Sequence, residues 1–100
     1  KELSSKDLFT QCLAEKGAKM YGAYWCSSCK KQKELFGDSF DYAPYQECAT
    51  PGVEGQVKPC REAGIEAYPT WVFADGSRET GVQTLADLGQ KTGCQLSESE

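Results

Sequence analysis

Tyr24-Trp25-Cys26-Ser27-Ser28-Cys29 is the stretch on which the reading of this chain turns. It joins two patterns of different period. Before it, Ala18 to Tyr24 reads as a strand with Met20 and Tyr21 at its centre; after it, Ser27 to about Phe36 reads as a helix closed by Gly37. Two thiols three residues apart at a helix start lie within disulfide reach. The first points outward from the helix N-terminus, where free amide N–H groups converge and favour a thiolate sulfur. The spacing therefore makes Cys26 the expected nucleophile and Cys29 the resolving thiol of a thiol–disulfide exchange.

Zinc ribbons use the same spacing, but they need a second ligand pair. The chain has no histidine and no second Cys-x-x-Cys, so no metal is expected, and no cofactor beyond the Cys26 and Cys29 pair itself. A purely structural bridge over so small a loop would constrain the unfolded chain weakly. Cys12, Cys48, Cys60 and Cys94 remain as an even set with three connectivities. Cys48 and Cys60 flank the irregular Thr50 to Pro59 segment, which a local bridge would hold down. The expected structural disulfides are Cys48 with Cys60 and Cys12 with Cys94. Four spare thiols suit an oxidising compartment.

Working outward, Ser4 with Asp7 resembles a capping box ahead of the apolar stripe Leu8, Phe9, Cys12 and Leu13, and Gly17 supplies a stop. Cys12 falls on the core side of that helix. Tyr42 to Glu47 reads as a short strand that Pro44 demotes towards an edge. Pro59 opens a short helix that Gly64 ends. Thr70 to Ala74 is strand-like, and Asp75-Gly76 is a two-residue hairpin signal returning the chain through Ser77 to Gly81. A last helix begins at Thr84, with Asp87 completing a capping pattern, and ends near Gly93. This order predicts an α/β thioredoxin-like fold: a central mixed sheet of about four strands with helices on both faces.

At 100 residues there is room for one domain and one core, residues 1–96, followed by a solvated acidic tail, Ser97 to Glu100. Net charge is −4, with lysines scattered among acids, so nucleic acid is not an expected partner. Apolar runs are far shorter than the roughly 20 residues that cross a bilayer, and the N-terminus lacks a signal-peptide run. The sequence reads as a mature or excised soluble domain, any targeting signal or anchor lying outside it.

Gly64-Ile65-Glu66-Ala67-Tyr68-Pro69-Thr70, just before Trp71-Val72-Phe73, resembles the cis-proline loop of the thioredoxin superfamily. That likeness implies that Pro69 faces the cysteine pair and that the Tyr68 backbone is free to pair with an extended substrate segment. Trp25, Tyr68, Pro69 and Thr70 are the candidate substrate-binding residues. Tyr24, Trp25 and Trp71 are candidates for the apolar surround of the thiols, with plain core as the other reading. Lys30, Lys31 and Lys33 read as a solvated helix face rather than as a source of potential at Cys26.

The runs Met20 to Cys29, Gln32 to Gly37, Tyr45-Gln46-Glu47-Cys48 and Gly64 to Trp71 together resemble the thioredoxin-like domain fused to vitamin K epoxide reductase homologues in cyanobacteria and plants. The likeness implies a soluble domain facing the periplasm or thylakoid lumen. It would oxidise cysteines of substrate proteins and pass electrons to a membrane-embedded helical bundle. Quinone would bind that partner and not this chain. Two positions depart from the wider superfamily pattern. Ser28 stands where many oxidising relatives carry histidine, and Met20 stands where reducing thioredoxins hold a buried acid. A reductase, an isomerase, or a non-catalytic binding module offering the Tyr68 and Pro69 groove are the alternatives.

Overall fold

The computed structural model describes residues 2–96, so the acidic tail lies outside the described residues. Helix α1, Ser5–Glu15, starts on a reciprocal cap: the Ser4 hydroxyl accepts the Asp7 N–H and the Asp7 carboxylate accepts the Ser4 N–H, both at 3.0 Å. Strand β1, Lys19–Gly22, leads into α2, Ser27–Phe36. A 3-10 helix, Gly37–Tyr42, then precedes β2, Tyr45–Glu47. Helix α3, Lys58–Ala63, ends on Gly64 in the left-handed conformation that glycine adopts without a Cβ penalty. Strands β3, Thr70–Val72, and β4, Arg78–Thr80, and helix α4, Leu85–Thr92, complete the chain.

The sheet order is β2-β1-β3-β4, with β1 and β2 parallel and the other pairs antiparallel. The strand after Pro44 is thus an edge strand. Alternation along the strands divides the core. Met20 and Trp71 face a cluster built with Phe9, Leu13, Cys29, Phe36 and Leu88 from α1, α2 and α4. Tyr21 and Val72 face the other way, onto Cys48, Cys60 and Ile65 beside α3. This is the mixed sheet of a thioredoxin-like fold.

Three expectations need correction. The 3-10 helix was absent from the sequence reading, which placed Tyr42 in a strand. Gly37 does end α2, with φ +59°, but the following turn stays wound because Ser39 donates to Asp7 of α1 at 2.6 Å. The strands are shorter than read; Ala18, Ala23 and Tyr24 lie outside β1. The β3–β4 loop has three residues, not two. Phe73 donates to the Ser77 carbonyl at 2.9 Å across Ala74-Asp75-Gly76, and the Asp75 carboxylate turns the chain by accepting the Ser77 N–H and hydroxyl.

One polar side chain sits at the centre of the larger cluster. Gln32 is fully buried; its amide donates to the Gln83 carbonyl at 2.9 Å, while its oxygen accepts from Trp71 Nε1 at 3.1 Å and Gln83 N at 2.8 Å. It locks α2 to β3 and to the segment before α4. Gln32→Ala would strand the buried Trp71 indole N–H and the partly buried Gln83 N–H and leave a cavity, a loss of about 3 kcal/mol. Urea unfolding should show the midpoint falling with an unchanged slope. A shift under about 0.5 kcal/mol would mean that the lock carries no energy.

Candidate active site

Cys26 is the N-cap of α2. Its sulfur accepts the Cys29 N–H at 3.3 Å, because an extended N-cap residue turns its side chain back over the first helical turn. Both cysteines are unbonded. Cys26 is half-buried, whereas Cys29, one turn into the helix, is fully buried. Access and shielding are therefore divided between the two thiols.

The loop before β3 closes the site from the opposite side. The Tyr68–Pro69 peptide bond is cis, and the Cys26 thiol lies 3.7 Å from the Tyr68 carbonyl oxygen, towards which it donates. Tyr68 is held by Gln56, whose amide donates to its hydroxyl at 2.7 Å and to the Ile65 carbonyl at 2.8 Å. The Trp25 ring is 59% exposed and meets the Tyr68 ring edge-on at 5.7 Å. These two aromatic rings form the accessible apolar rim beside Cys26. Pro69 and Thr70 turn inward: both are buried, and the Thr70 hydroxyl is spent on the Ala67 carbonyl at 2.7 Å. Their side chains hold the loop. Tyr24 is exposed, and Trp71 is core, bonded to Gln32.

Beneath the pair lies a cluster that sequence reasoning did not assign. The Tyr45 hydroxyl donates to Glu47 Oε1 at 2.8 Å, and Glu47 Oε2 accepts the N–H groups of Tyr24 at 2.8 Å and Ala49 at 3.2 Å. Glu47 thus pins the backbone two residues before Cys26. Lys33, read as solvated, is half-buried, with its ammonium 4.5 Å over the Tyr45 ring and 5.5 Å from the Phe40 ring. Its long stem covers apolar surface while the charge faces the rings. Lys30 and Lys31 are exposed. The available signal was Gly22, a glycine inside a strand, which marks close approach by a neighbour.

Burial pushes the Cys29 thiol up to about 12, and the adjoining Cys26 adds to the rise; the Ala23 backbone N–H and the Lys33 charge pull the other way. The ordinary value is 9.0. A folded value above the unfolded one means that the native state holds this proton longer, so the stabilisation is complete below about pH 9 and is lost as pH rises towards 12. The reduced domain should therefore lose stability above about pH 9 more steeply than its Cys29→Ala variant, read by urea titration across that range. Parallel curves would remove Cys29 as the cause.

The other four cysteines are bonded, Cys12 to Cys94 and Cys48 to Cys60. Among the described residues, no group of three or more His, Cys, Asp or Glu side chains is arranged to hold a metal ion, and no helix is long and apolar enough to cross a membrane.

This fold is thioredoxin-like, with two neighbouring thiols at the N-terminus of α2 and a cis-proline loop against them. No protein-family model matches the chain. It is similar to the thiol-disulfide oxidoreductase LTO1 of Arabidopsis thaliana, at 40% identity over 87 residues. The match takes in 83% of this chain and 23% of that protein, so the chain spans less than a quarter of its relative's length. A match of that extent within 100 residues includes the segment from Cys26 to Pro69.

Proposed function

We propose that this domain oxidises thiols of substrate proteins by exchange at Cys26 and Cys29, and is itself reoxidised by a membrane-embedded partner resembling vitamin K epoxide reductase. The carrying observation is the division of labour at the helix start: a half-buried Cys26 sulfur capped by the Cys29 N–H, and a fully buried Cys29 behind it. In the oxidised state a substrate thiolate attacks the Cys26 sulfur, Cys29 departs with the electron pair, and a second substrate thiol displaces Cys26 as the substrate disulfide forms. The reduced pair then returns its two electrons to a partner disulfide through the same mixed disulfide at Cys26. Trp25 and Tyr68 give an apolar rim for the substrate segment, and the Tyr68 carbonyl gives it a backbone acceptor.

The oxidising direction rests on the likeness to the vitamin K epoxide reductase fusion family, supported by the absence of an acid at Met20 and by two further disulfides in one small domain. The thylakoid lumen or the periplasm is the compartment that fits. Quinone belongs to the partner. Equilibrating the Cys26 and Cys29 couple against glutathione tests the direction. A potential well above that of thioredoxin, which is about −270 mV, supports an oxidase; one at or below it makes the domain a reductase.

A further inference from the structure

If Cys29 resolves mixed disulfides, it has to give up a proton from a buried position, and that proton needs a destination. Exchange is carried by thiolates, and burial holds the Cys29 thiol in its protonated form at neutral pH. Proton removal concerted with attack is the route by which such a group reacts at neutral pH.

Residue 20 offers no base, being a fully buried methionine. The neighbouring edge strand offers one. Parallel pairing sets Met20 beside Tyr45 and Gly22 beside Glu47, so alternate residues of β1 and β2 share the face under α2. Gly22 is the gap that brings the groups together. A methyl placed there would lie 3.0 Å from Cys29 Sγ, 3.0 Å from Tyr45 Cε1 and 3.2 Å from the Tyr45 hydroxyl oxygen. The cysteine sulfur and the tyrosine hydroxyl thus border one small space. The same hydroxyl donates to Glu47 Oε1 at 2.8 Å. Groups facing this space from other elements are Lys33 of α2 over the Tyr45 ring, Cys26 at the α2 N-cap, and the uncharged Phe40 ring, 5.5 Å from Tyr45. Burial and the Glu47 carboxylate keep the Tyr45 hydroxyl protonated, as a shuttle requires.

We propose that Tyr45 and Glu47 are a proton relay for Cys29, Tyr45 passing the thiol proton to the Glu47 carboxylate as Cys29 attacks the mixed disulfide at Cys26. The inference rests on the exchange reading above. In the step, the Cys29 sulfur forms the bond to Cys26 and the bond from Cys26 to the partner sulfur breaks, its electron pair leaving on the partner. The Cys29 proton moves to the Tyr45 oxygen while the Tyr45 proton moves to Glu47. Glu47 then releases it to solvent or to the departing thiolate. The reverse path protonates Cys29 when a substrate thiolate opens the disulfide. Tyr45 and Glu47 act through Cys29 and touch no substrate.

The test uses the reduced domain and dithiodipyridine, followed by stopped-flow absorbance. Capture by Cys26 releases one thiopyridone, and resolution by Cys29 releases a second. Tyr45→Phe keeps the ring. Glu47→Gln keeps an acceptor for the Tyr24 and Ala49 N–H groups while removing the charge. Both variants should release the first thiopyridone at the wild-type rate and the second about 100-fold more slowly at pH 7, with the gap narrowing as pH rises to 10 and hydroxide replaces the relay. Wild-type rates for the second release in both variants overturn the relay and leave the exchange reading standing. A slowing that is equal at every pH marks a packing defect and also overturns it. A wild-type domain that releases no second thiopyridone removes the exchange reading, and the relay with it. Should Glu47→Gln fail to fold, Tyr45→Phe decides alone.

Discussion

Replacing Cys29 with Ser leaves Cys26 able to attack a partner disulfide but unable to be released by internal attack, so covalent complexes accumulate. Replacing Cys26 instead abolishes both capture and turnover. The asymmetry follows from position, since the Cys26 sulfur is reachable at the N-cap while Cys29 is fully buried behind it, and exchange needs access as well as a thiolate. Activity loss in Cys29→Ser should exceed 1,000-fold, because resolution from solution replaces an intramolecular reaction and effective concentrations in well-oriented intramolecular reactions reach about 10⁵ M or more, while the Cys26 variant loses the attacking thiol itself. Incubation with a disulfide-bonded partner, blocking of free thiols and non-reducing gels give the readout. Complexes forming equally well through Cys29 when Cys26 is missing would reverse the roles.

The Cys12–Cys94 disulfide should be the largest single contributor to stability among the four bonded cysteines. It closes a loop of sequence separation 82, worth about 4.5 kcal/mol on the chain-entropy account, against about 3 kcal/mol for Cys48–Cys60 with a separation of 12. Domains of this size have only about 5–15 kcal/mol in total. Changing Cys12 and Cys94 together to Ala should therefore bring the domain close to unfolding at physiological temperature, while the corresponding change at Cys48 and Cys60 leaves it folded but weakened. Urea midpoints measured with Cys26 and Cys29 held reduced throughout would rank the two. A larger loss on removing Cys48–Cys60 would show that the packing of that bond under Tyr21 and Val72, and not loop closure, sets its worth.

What was legible in the sequence was local. The Ser4 and Asp7 cap, the Gly64 and Gly93 stops and the strand-to-helix change at Cys26 each depend on a few adjacent residues, and each sits where the pattern put it. The thioredoxin-like order of elements followed from them. What escaped notice depends on partners distant in sequence. Gln32 is polar and reads as surface, but it is buried and bonded to Trp71 and Gln83, 39 and 51 positions away. The 3-10 helix persists through a bond from Ser39 back to Asp7. Glu47 comes to the Tyr24 backbone beside the thiol pair only because β2 pairs with β1 in a register that no local pattern encodes. The Thr70 hydroxyl closes its own turn on the Ala67 carbonyl, a contact set by the cis-proline loop as a whole.

The bond between Cys12 and Cys94 also has a mechanical meaning. It joins the middle of the first helix to the residues just after the last, so every strand and both active thiols lie inside one covalent ring. Tension applied through flanking polypeptide is carried across that clasp from one end to the other and bypasses the sheet. Pulling can peel away the chain before Cys12 and after Cys94, but it cannot unzip β1 from β3 or draw Cys26 away from Tyr68. Load applied at either end of the domain is thereby kept off the thiol pair and the loop facing it.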